Sequence, residues 1–156
     1  MSKAQEPPHS RPVPAGPEPI PLLLAGLARE DCEAVERFAR DAGWRITAVP
    51  TSAQAIRFAR NGTVPVILAE RDTRSGGWRF LLERTLELPC PPRLIVSSRL
   101  SDESLWAEVL DRGGFDVVRT PFHQRELSAV VRNAWESWER EKWNTPRRLA
   151  AGGGPR

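Results

Sequence analysis

Five short apolar runs alternate strictly with five segments of helical periodicity along this chain. Most of the runs are continuous and rich in branched aliphatic residues, which is typical of strands covered on both faces. Strict alternation of strands and helices implies a parallel sheet with right-handed crossovers. We therefore predict an α/β protein with helices on both faces of the sheet. The predicted strands are Ile20–Ala25, Trp44–Val49, Val64–Ala69, Arg93–Ser97 and Phe115–Arg119.

The segments between the runs have apolar residues at helical spacing and recognisable caps. Gly43 supplies the stop of the first helix, Thr51 or Ser52 can cap the second, and Ser101 can cap the fourth. The common small arrangement of such units is the flavodoxin-like order 2-1-3-4-5, with its site at the carboxyl ends of the first and third strands. Glu70 follows the predicted third strand directly, so an acidic residue is expected at that edge.

Length and charge divide the chain into one domain and two tails. The 156 residues suit one compact domain. We predict a disordered, proline-rich segment over residues 1–19, a domain over 20–143 and a disordered basic tail over 144–156. The net charge is +3, and residues 140–156 alone contain five basic residues and one acidic residue. The net positive charge therefore lies in the C-terminal tail, and it does not indicate a basic binding face on the domain.

Several classes of protein are excluded by composition. The longest apolar run is far too short for a membrane span, and the proline-rich N-terminus lacks the apolar core of a secretory signal. With two cysteines and no export signal, Cys32 and Cys90 are expected to be free thiols in a reducing cytoplasm. The two histidines, His9 and His123, lie far apart in sequence, so no metal site built on histidine and cysteine is expected.

Four stretches together resemble one known family. Gly43-Trp44 looks like a glycine-aromatic turn into the second strand, "ERDTRSGGW" like a phosphoacceptor loop, "LIVSS" like a fourth strand with its hydroxyl residue, and "LDRGGFDVVRTPF" like that family's ending before the last helix. The order and spacing of these stretches resemble the receiver domain of bacterial two-component response regulators, over about residues 20–138. The resemblance implies the flavodoxin-like fold and a cis peptide bond between Thr120 and Pro121.

Receiver chemistry carries over only in part. Known receivers use a phosphoacceptor Asp, two acids after the first strand that hold Mg²⁺, a Ser or Thr after the fourth strand and a Lys before the cis-proline. Phosphoryl transfer needs the carboxylate nucleophile and the neutralising charges, and Mg²⁺ prefers carboxylate oxygens. The resemblance places these roles as follows: phosphoacceptor on Glu70, acid pair on Gly26 and Leu27, hydroxyl on Ser97 or Ser98, lysine on Thr120.

The acidic residues near this edge allow more than one interpretation. Glu70 is either a permanent mimic of a phosphorylated Asp or an acid balanced by Arg71 or Arg74. Asp72 is a second-choice phosphoacceptor, although loop acids more often stabilise a turn or pair with arginine. Glu30 and Asp31 could be displaced metal ligands, but acids in the first turn of a helix are also favoured by its dipole.

We interpret the chain as a stand-alone pseudo-receiver that is not an enzyme and acts by protein–protein contact without Mg²⁺-dependent phosphorylation. No further effector domain is recognisable after residue 143, so a partner or a homodimer would transmit the output. In the family this contact uses the fourth helix, fifth strand and fifth helix. The corresponding residues are Trp106, Arg112, Phe115, Arg119 and Trp135.

Two rival functions remain open. The first is a phosphorylatable receiver that uses Glu70 or Asp72 with unconventional metal ligands. The second is a small flavodoxin-like cofactor binder, but the stretch "AGLARED" after the first strand offers one glycine and no hydroxyl for a phosphate. We therefore expect no cofactor. No membrane association is expected, and the adjacent pair Arg147-Arg148 is expected to be solvated rather than bound to nucleic acid.

Overall fold

The computed structural model describes residues 18–100 and 102–152, which form a five-stranded parallel sheet in the order β2-β1-β3-β4-β5. This is the predicted order, and strands and helices alternate throughout. The elements are β1 Ile20–Ala25, α1 Arg29–Ala42, β2 Trp44–Val49, α2 Ser52–Asn61, β3 Val66–Glu70, α3 Gly77–Leu86, β4 Arg93–Ser98, α4 Glu103–Asp111, β5 Asp116–Arg119 and α5 Gln124–Gly152.

The strand boundaries differ from the predictions where the hydrogen-bond ladder decides them. β3 begins at Val66 rather than at Val64, because Pro65 has no backbone N–H to donate to a neighbouring strand. It extends to Glu70, which pairs in register with Ser97 of β4. At the edge of the sheet, β5 begins at Asp116, one residue later than predicted.

Local caps define several helix ends. Gly43 adopts the left-handed conformation at the end of α1, with φ 73°, and its N–H donates to the Ala39 carbonyl. The Thr51 hydroxyl accepts a hydrogen bond from the Gln54 N–H and caps α2. The predicted cap of the fourth helix, Ser101, lies outside the described residues. The Asp102 side chain caps α4 by accepting from the Ser104 N–H at 2.9 Å.

Two apolar cores lie on opposite faces of the sheet. Alternate residues of each strand point to opposite faces, so Leu23 of β1 packs with α2, α3 and α4, whereas its neighbour Leu24 packs with α1 and α5. Trp78 of α3 is 1% exposed and lies in the first core. Val131 of α5 is fully buried in the second. The arrangement makes the central strands inaccessible except at their ends.

Helix α5 is longer than the sequence predicts. Its backbone is helical to Gly152, whereas a disordered tail was predicted from residue 144. The helix continues through Pro146, although proline removes one backbone hydrogen bond of a helix, and the Arg, Leu and Ala residues that follow favour helix. The remaining parts of the predicted disordered segments, 1–17 and 153–156, lie outside the described residues. Within the described chain, no helix is both long enough and apolar enough to cross a membrane.

Candidate functional site

The carboxyl ends of β1, β3 and β4 bring the site residues predicted from the sequence close together. We call this end of the sheet the site edge. Ala25 pairs with Ala69, so Gly26 and Glu70 each follow paired residues of adjacent strands. Glu70 in turn pairs with Ser97. The expected cis peptide bond between Thr120 and Pro121 is present. The Thr120 N–H donates to the Ser98 carbonyl at 3.0 Å, which connects β5 to the same edge.

Glu70 is half-buried, and its carboxylate turns back onto its own loop. Oε2 accepts a hydrogen bond from the Asp72 N–H at 2.6 Å. Burial raises the pKa of Glu70, while this hydrogen bond acts to lower it. Arg71 lies 3.9 Å from the Asp72 carboxylate. Among the described residues neither Arg71 nor Arg74 forms an ion pair with Glu70, although the positive charge of Arg71 also acts to lower the pKa of Glu70.

Thr73 closes the space beside Gly26. Its side chain is buried, and its hydroxyl donates to the Ala25 carbonyl at 3.2 Å and also contacts the Glu70 carbonyl. Gly26 has φ 69°, and a Cβ atom there would lie 2.6 Å from the Thr73 Cγ2 atom. Only glycine fits such a position without displacement or strain. Gly26, which the resemblance places at a receiver's first metal-binding acid, is therefore covered by a threonine from the β3–α3 loop.

This loop is fixed to the start of α2. The Ser52 hydroxyl donates to the Gly77 carbonyl at 3.1 Å, and the Ser52 N–H donates to the Arg74 carbonyl at 3.0 Å. Within the loop, the Gly77 N–H donates to the Thr73 carbonyl at 2.9 Å. These bonds hold Thr73 over Gly26 from both ends of the loop. Sequence reasoning did not single out Thr73, because no local pattern connects it with a residue so distant in the chain.

The hydroxyl residues of the site are engaged in backbone hydrogen bonds. The Ser97 hydroxyl is fully buried and donates to the Ala69 carbonyl at 3.3 Å. The Ser98 hydroxyl accepts from the Leu100 N–H at 3.2 Å and stabilises the turn after β4. Thr120 is buried as well. Each serine hydroxyl therefore has a backbone partner at the end of β3 or in the turn after β4.

Asp31 in the first turn of α1 adds a second carboxylate to the same region. Burial raises its pKa, and the positive charge of Arg99 acts in the opposite direction. The negative charge of Asp31 is also one of the smaller causes that raise the pKa of Glu70, after burial of that carboxylate. Arg99 follows β4 and was not identified from the sequence. Its proximity to Asp31 depends on how the β4–α4 loop faces α1.

The residues present do not fit the Mg²⁺ that the receiver fold implies. Leu27, which the resemblance places in the second acid position, packs against the core between α1, α5 and the sheet. Gly26 has no side chain and no free space. Across the described residues, no three His, Cys, Asp or Glu side chains are grouped so that they could hold a metal ion. Mg²⁺ is bound through carboxylate oxygens in near-octahedral geometry, and neither Gly26 nor Leu27 supplies one.

The predicted interaction face divides into separate environments. Trp106 is 50% exposed, and its indole N–H donates to the Asp116 carboxylate at 3.3 Å. Trp106 and Arg119 line one groove of about 260 Å³ between α4, β5 and the start of α5. We call it the Trp106 groove. Its other lining residues are Leu100, Asp102, Glu103, Val117 and Glu126.

The other three residues predicted for this face lie elsewhere. The Arg112 Nε donates to Glu108 at 2.8 Å, so its guanidinium is engaged between α3 and α4. Phe115 packs against the core on the α1 and α5 side. Trp135 lines a different cavity, together with Ile20 and Trp44, near the beginning of β1 and β2. The structure therefore joins Trp106 and Arg119 and separates them from Trp135.

Comparison with known proteins identifies the fold. No protein-family model and no curated protein matches the chain. Among solved structures, the signal receiver domain of a putative LuxO repressor protein from Vibrio parahaemolyticus superposes with a TM-score of 0.72 at 16% identity, covering 81% of this chain and 97% of that one. A putative response regulator from Chloroflexus aurantiacus gives a TM-score of 0.71 at 18% identity, covering 76% of this chain and 99% of that one.

A third similar structure was determined with a bound magnesium ion. The receiver domain of sensor histidine kinase PA1611 from Pseudomonas aeruginosa, with magnesium coordinated in its active-site cleft, has a TM-score of 0.66 at 18% identity, covering 76% of this chain and 98% of that one. The chain thus has the flavodoxin-like fold of response-regulator receiver domains. In this chain, Gly26 and Leu27 follow β1, and the buried Thr73 packs over Gly26.

Proposed function

We propose that this protein is a cytoplasmic pseudo-receiver, a signalling protein of the two-component type that works by protein–protein contact and not by Mg²⁺-dependent phosphorylation. The observation that supports this most directly is the contact of Thr73 with Gly26. Gly26 supplies no carboxylate ligand, and Thr73 fills the position that a side chain at residue 26 would occupy. The receiver fold supports the signalling context, and the altered edge supports the loss of the phosphorylation chemistry.

The remaining site residues also support the loss of phosphorylation chemistry. Transfer of a phosphoryl group concentrates negative charge that a metal ion and a lysine must offset. The lysine position is Thr120, a buried neutral hydroxyl. The raised pKa of Glu70 indicates an environment that already disfavours one negative charge. Additional phosphoryl charge at Glu70 or Asp72 would therefore be strongly disfavoured.

The first prediction tests this loss of chemistry. The purified protein, incubated with Mg²⁺ and a small phosphodonor such as acetyl phosphate, should show no phosphoryl mass increment by intact-mass spectrometry. Titration with Mg²⁺ to millimolar concentration should leave the tryptophan fluorescence unchanged, with the buried Trp78 directly after the loop as a local reporter. A mass increment on Glu70 or Asp72, or a saturable Mg²⁺ response lost in Glu70→Gln, would falsify the proposal and favour the phosphorylatable receiver.

The contact surface is the second part of the proposal. We assign it to the Trp106 groove, where a half-exposed tryptophan and Arg119 border the apolar Leu100 and Val117. Tryptophan and arginine are enriched among the residues that contribute most to protein interfaces. The occupant is a signalling partner, or a second copy of this chain on the same face.

The second prediction tests the groove. Trp106→Ala should weaken homodimerisation in sedimentation experiments, or capture of a purified candidate partner, by about tenfold or more, as expected for an aromatic anchor. Leu86→Ala is a matched control, because Leu86 is also an exposed apolar residue but lies on α3, outside the groove. Equal effects of the two substitutions would count against the assignment.

The role of Glu70 as a mimic of a phosphorylated residue can be tested in the same experiment. Glu carries about one negative charge, where a phosphoryl group brings nearly two. If this charge sets the active state, Glu70→Gln should weaken partner binding while the thermal midpoint is maintained. Unchanged affinity would leave Glu70 with the local role that its hydrogen bond to the Asp72 N–H indicates.

A further inference from the structure

A groove lined by arginines lies between α2 and α3, away from the Trp106 groove. It has a volume of about 530 Å³, and its lining includes Arg57, Arg60 and Arg84 together with Phe80 and Asn61. All residues found to line it are basic, neutral or apolar. Arg57 and Arg60 are three positions apart on α2, so their side chains share one face of the helix. We call this surface the arginine groove.

The positive charge of this groove is weakly compensated. Among the described residues, Arg57 and Arg60 form no ion pair, and both are exposed. Arg84 reaches Glu87 only at 3.9 Å, and its guanidinium lies 5.4 Å from the centroid of the Phe80 ring. The nearby acid Glu83 instead pairs with an arginine of the α4 end at 3.8 Å. The guanidinium groups are therefore available to an incoming anion.

An apolar pocket adjoins the arginine groove on the other side of α2. It has a volume of about 350 Å³ and is lined by Val49, Gln54, Phe58 and Gly62. Phe58 is 43% exposed, an unusual position for a phenylalanine of a surface helix. Arg57 and Asn61 line both the pocket and the groove, so the two form one continuous surface around α2.

We propose that this surface binds an acidic peptide segment of a partner protein. Its carboxylates would bind Arg57, Arg60 and Arg84, since guanidinium and carboxylate groups form charge-assisted, often bidentate hydrogen bonds. An apolar side chain of the same peptide would enter the pocket beside Phe58. This surface is distinct from the strand ends that bear Glu70 and from the Trp106 groove, so the inference does not depend on the pseudo-receiver proposal.

A peptide fits these observations better than a nucleic acid does. Nucleic-acid surfaces bind an extended backbone along a track of cations and stack bases on aromatic rings. Here three arginines converge on one groove, and the guanidinium of Arg84 lies over the Phe80 ring. The apolar pocket beside them offers burial for an aliphatic side chain. The combination matches a short segment in which acidic and apolar residues alternate.

The proposal is tested by fluorescence anisotropy with a labelled short peptide of alternating Glu and Leu residues. We expect saturable binding to the full chain, and a dissociation constant that increases about tenfold or more in Arg57→Glu/Arg60→Glu, because like charges then face each other. The matched control is Arg37→Glu/Arg40→Glu on α1, which reverses two exposed arginines of the same spacing on the opposite face of the sheet. The control should change the dissociation constant less than about twofold.

Further measurements distinguish binding of the acidic peptide from binding of other ligands. Phe58→Ala should weaken binding of the Glu-Leu peptide, and a Lys-Leu peptide should not bind. Thermal unfolding of each variant verifies that the fold is retained. Absence of saturable binding of the Glu-Leu peptide, or equal weakening by the two double substitutions, would overturn the proposal. It would also be overturned if a labelled single-stranded oligonucleotide bound more tightly than the peptide and lost this binding in Arg57→Glu/Arg60→Glu.

Discussion

At the scale of single residues, Gly26 and Gly43 show what a left-handed conformation requires in two different settings. Both have positive φ values, 69° and 73°. Gly43 ends α1, and a Cβ atom added there would meet nothing within 4 Å. The same atom at Gly26 would collide with Thr73. Gly43 is thus restricted by its conformation alone, whereas Gly26 is restricted by both conformation and space.

This difference gives the third prediction. Gly43→Asp should cost about 1 kcal/mol for the left-handed conformation. Gly26→Asp, which restores an acid at the receiver's metal position, should cost about 2–4 kcal/mol, because displacement of Thr73 adds to that strain. Urea denaturation of the two variants measures both values. Equal destabilisation would show that Thr73 moves aside freely and that the space beside Glu70 is open.

At the scale of secondary-structure elements, an ion-pair network joins α3 to α4. Arg79 of α3 donates from Nε and Nη2 to the two carboxylate oxygens of Glu108 on α4. Arg112, at the end of α4, also donates to Glu108 and lies 3.8 Å from Glu83 of α3. The hydrogen bond from Arg79 is the largest cause that lowers the pKa of Glu108 to about 2. The network orients α4, the helix that bears Trp106.

The fourth prediction follows from this lowered pKa. The pKa of Glu108 is lower in the folded state than its ordinary value of 4.5, so its contribution to stability is present above that value and is lost as the pH falls to about 2. The thermal midpoint of the wild-type protein should therefore exceed that of Glu108→Gln at neutral pH. The difference should disappear as the pH falls from 4.5 to about 2. Because the carboxylate is exposed, high salt should reduce the difference at neutral pH.

A control separates this pair from general acid effects. Glu136→Gln removes an exposed acid of α5 that forms no ion pair within the described residues. Its thermal midpoint should follow that of the wild type through the same pH range. Parallel behaviour of Glu108→Gln and Glu136→Gln would contradict a specific role for the α3–α4 network.

At the scale of the whole molecule, the sheet couples two apolar cores through each central strand. Leu23 and Leu24 are adjacent in β1, each about 1% exposed or less, yet they belong to cores on opposite faces. The helices on one face of the sheet are therefore linked to those on the other face through adjacent residues of one strand, β1. Unfolding of either face should expose the other.

The fifth prediction tests this coupling. Leu23→Ala and Leu24→Ala should each lower the free energy of unfolding by about 2–5 kcal/mol, the cost of a cavity in a packed core. Both variants should still unfold in one transition, with tryptophan fluorescence and far-ultraviolet circular dichroism coinciding. Separate transitions by the two probes in either variant would show that the faces unfold independently.

The sequence by itself determined the architecture, because strand and helix periodicities are local properties. Strand order, the bounds of β1 and β2, the stop at Gly43 and the cis bond before Pro121 agree with expectation. The position of Glu70 at the end of β3 followed from the same reasoning. Two boundaries differ from expectation. β3 begins after Pro65, which cannot donate a backbone hydrogen bond, and α5 continues to Gly152.

Only the tertiary structure decided what surrounds Glu70 and which surfaces are continuous. The contact of Thr73 with Gly26, the proximity of Arg99 to Asp31 and the separation of Trp135 from the Trp106 groove all join or divide residues far apart in the chain. Such relations depend on loop paths and on how helices lie against the sheet. Periodicity specifies which side of an element is buried, but it contains no information about which distant side chain fills a given space.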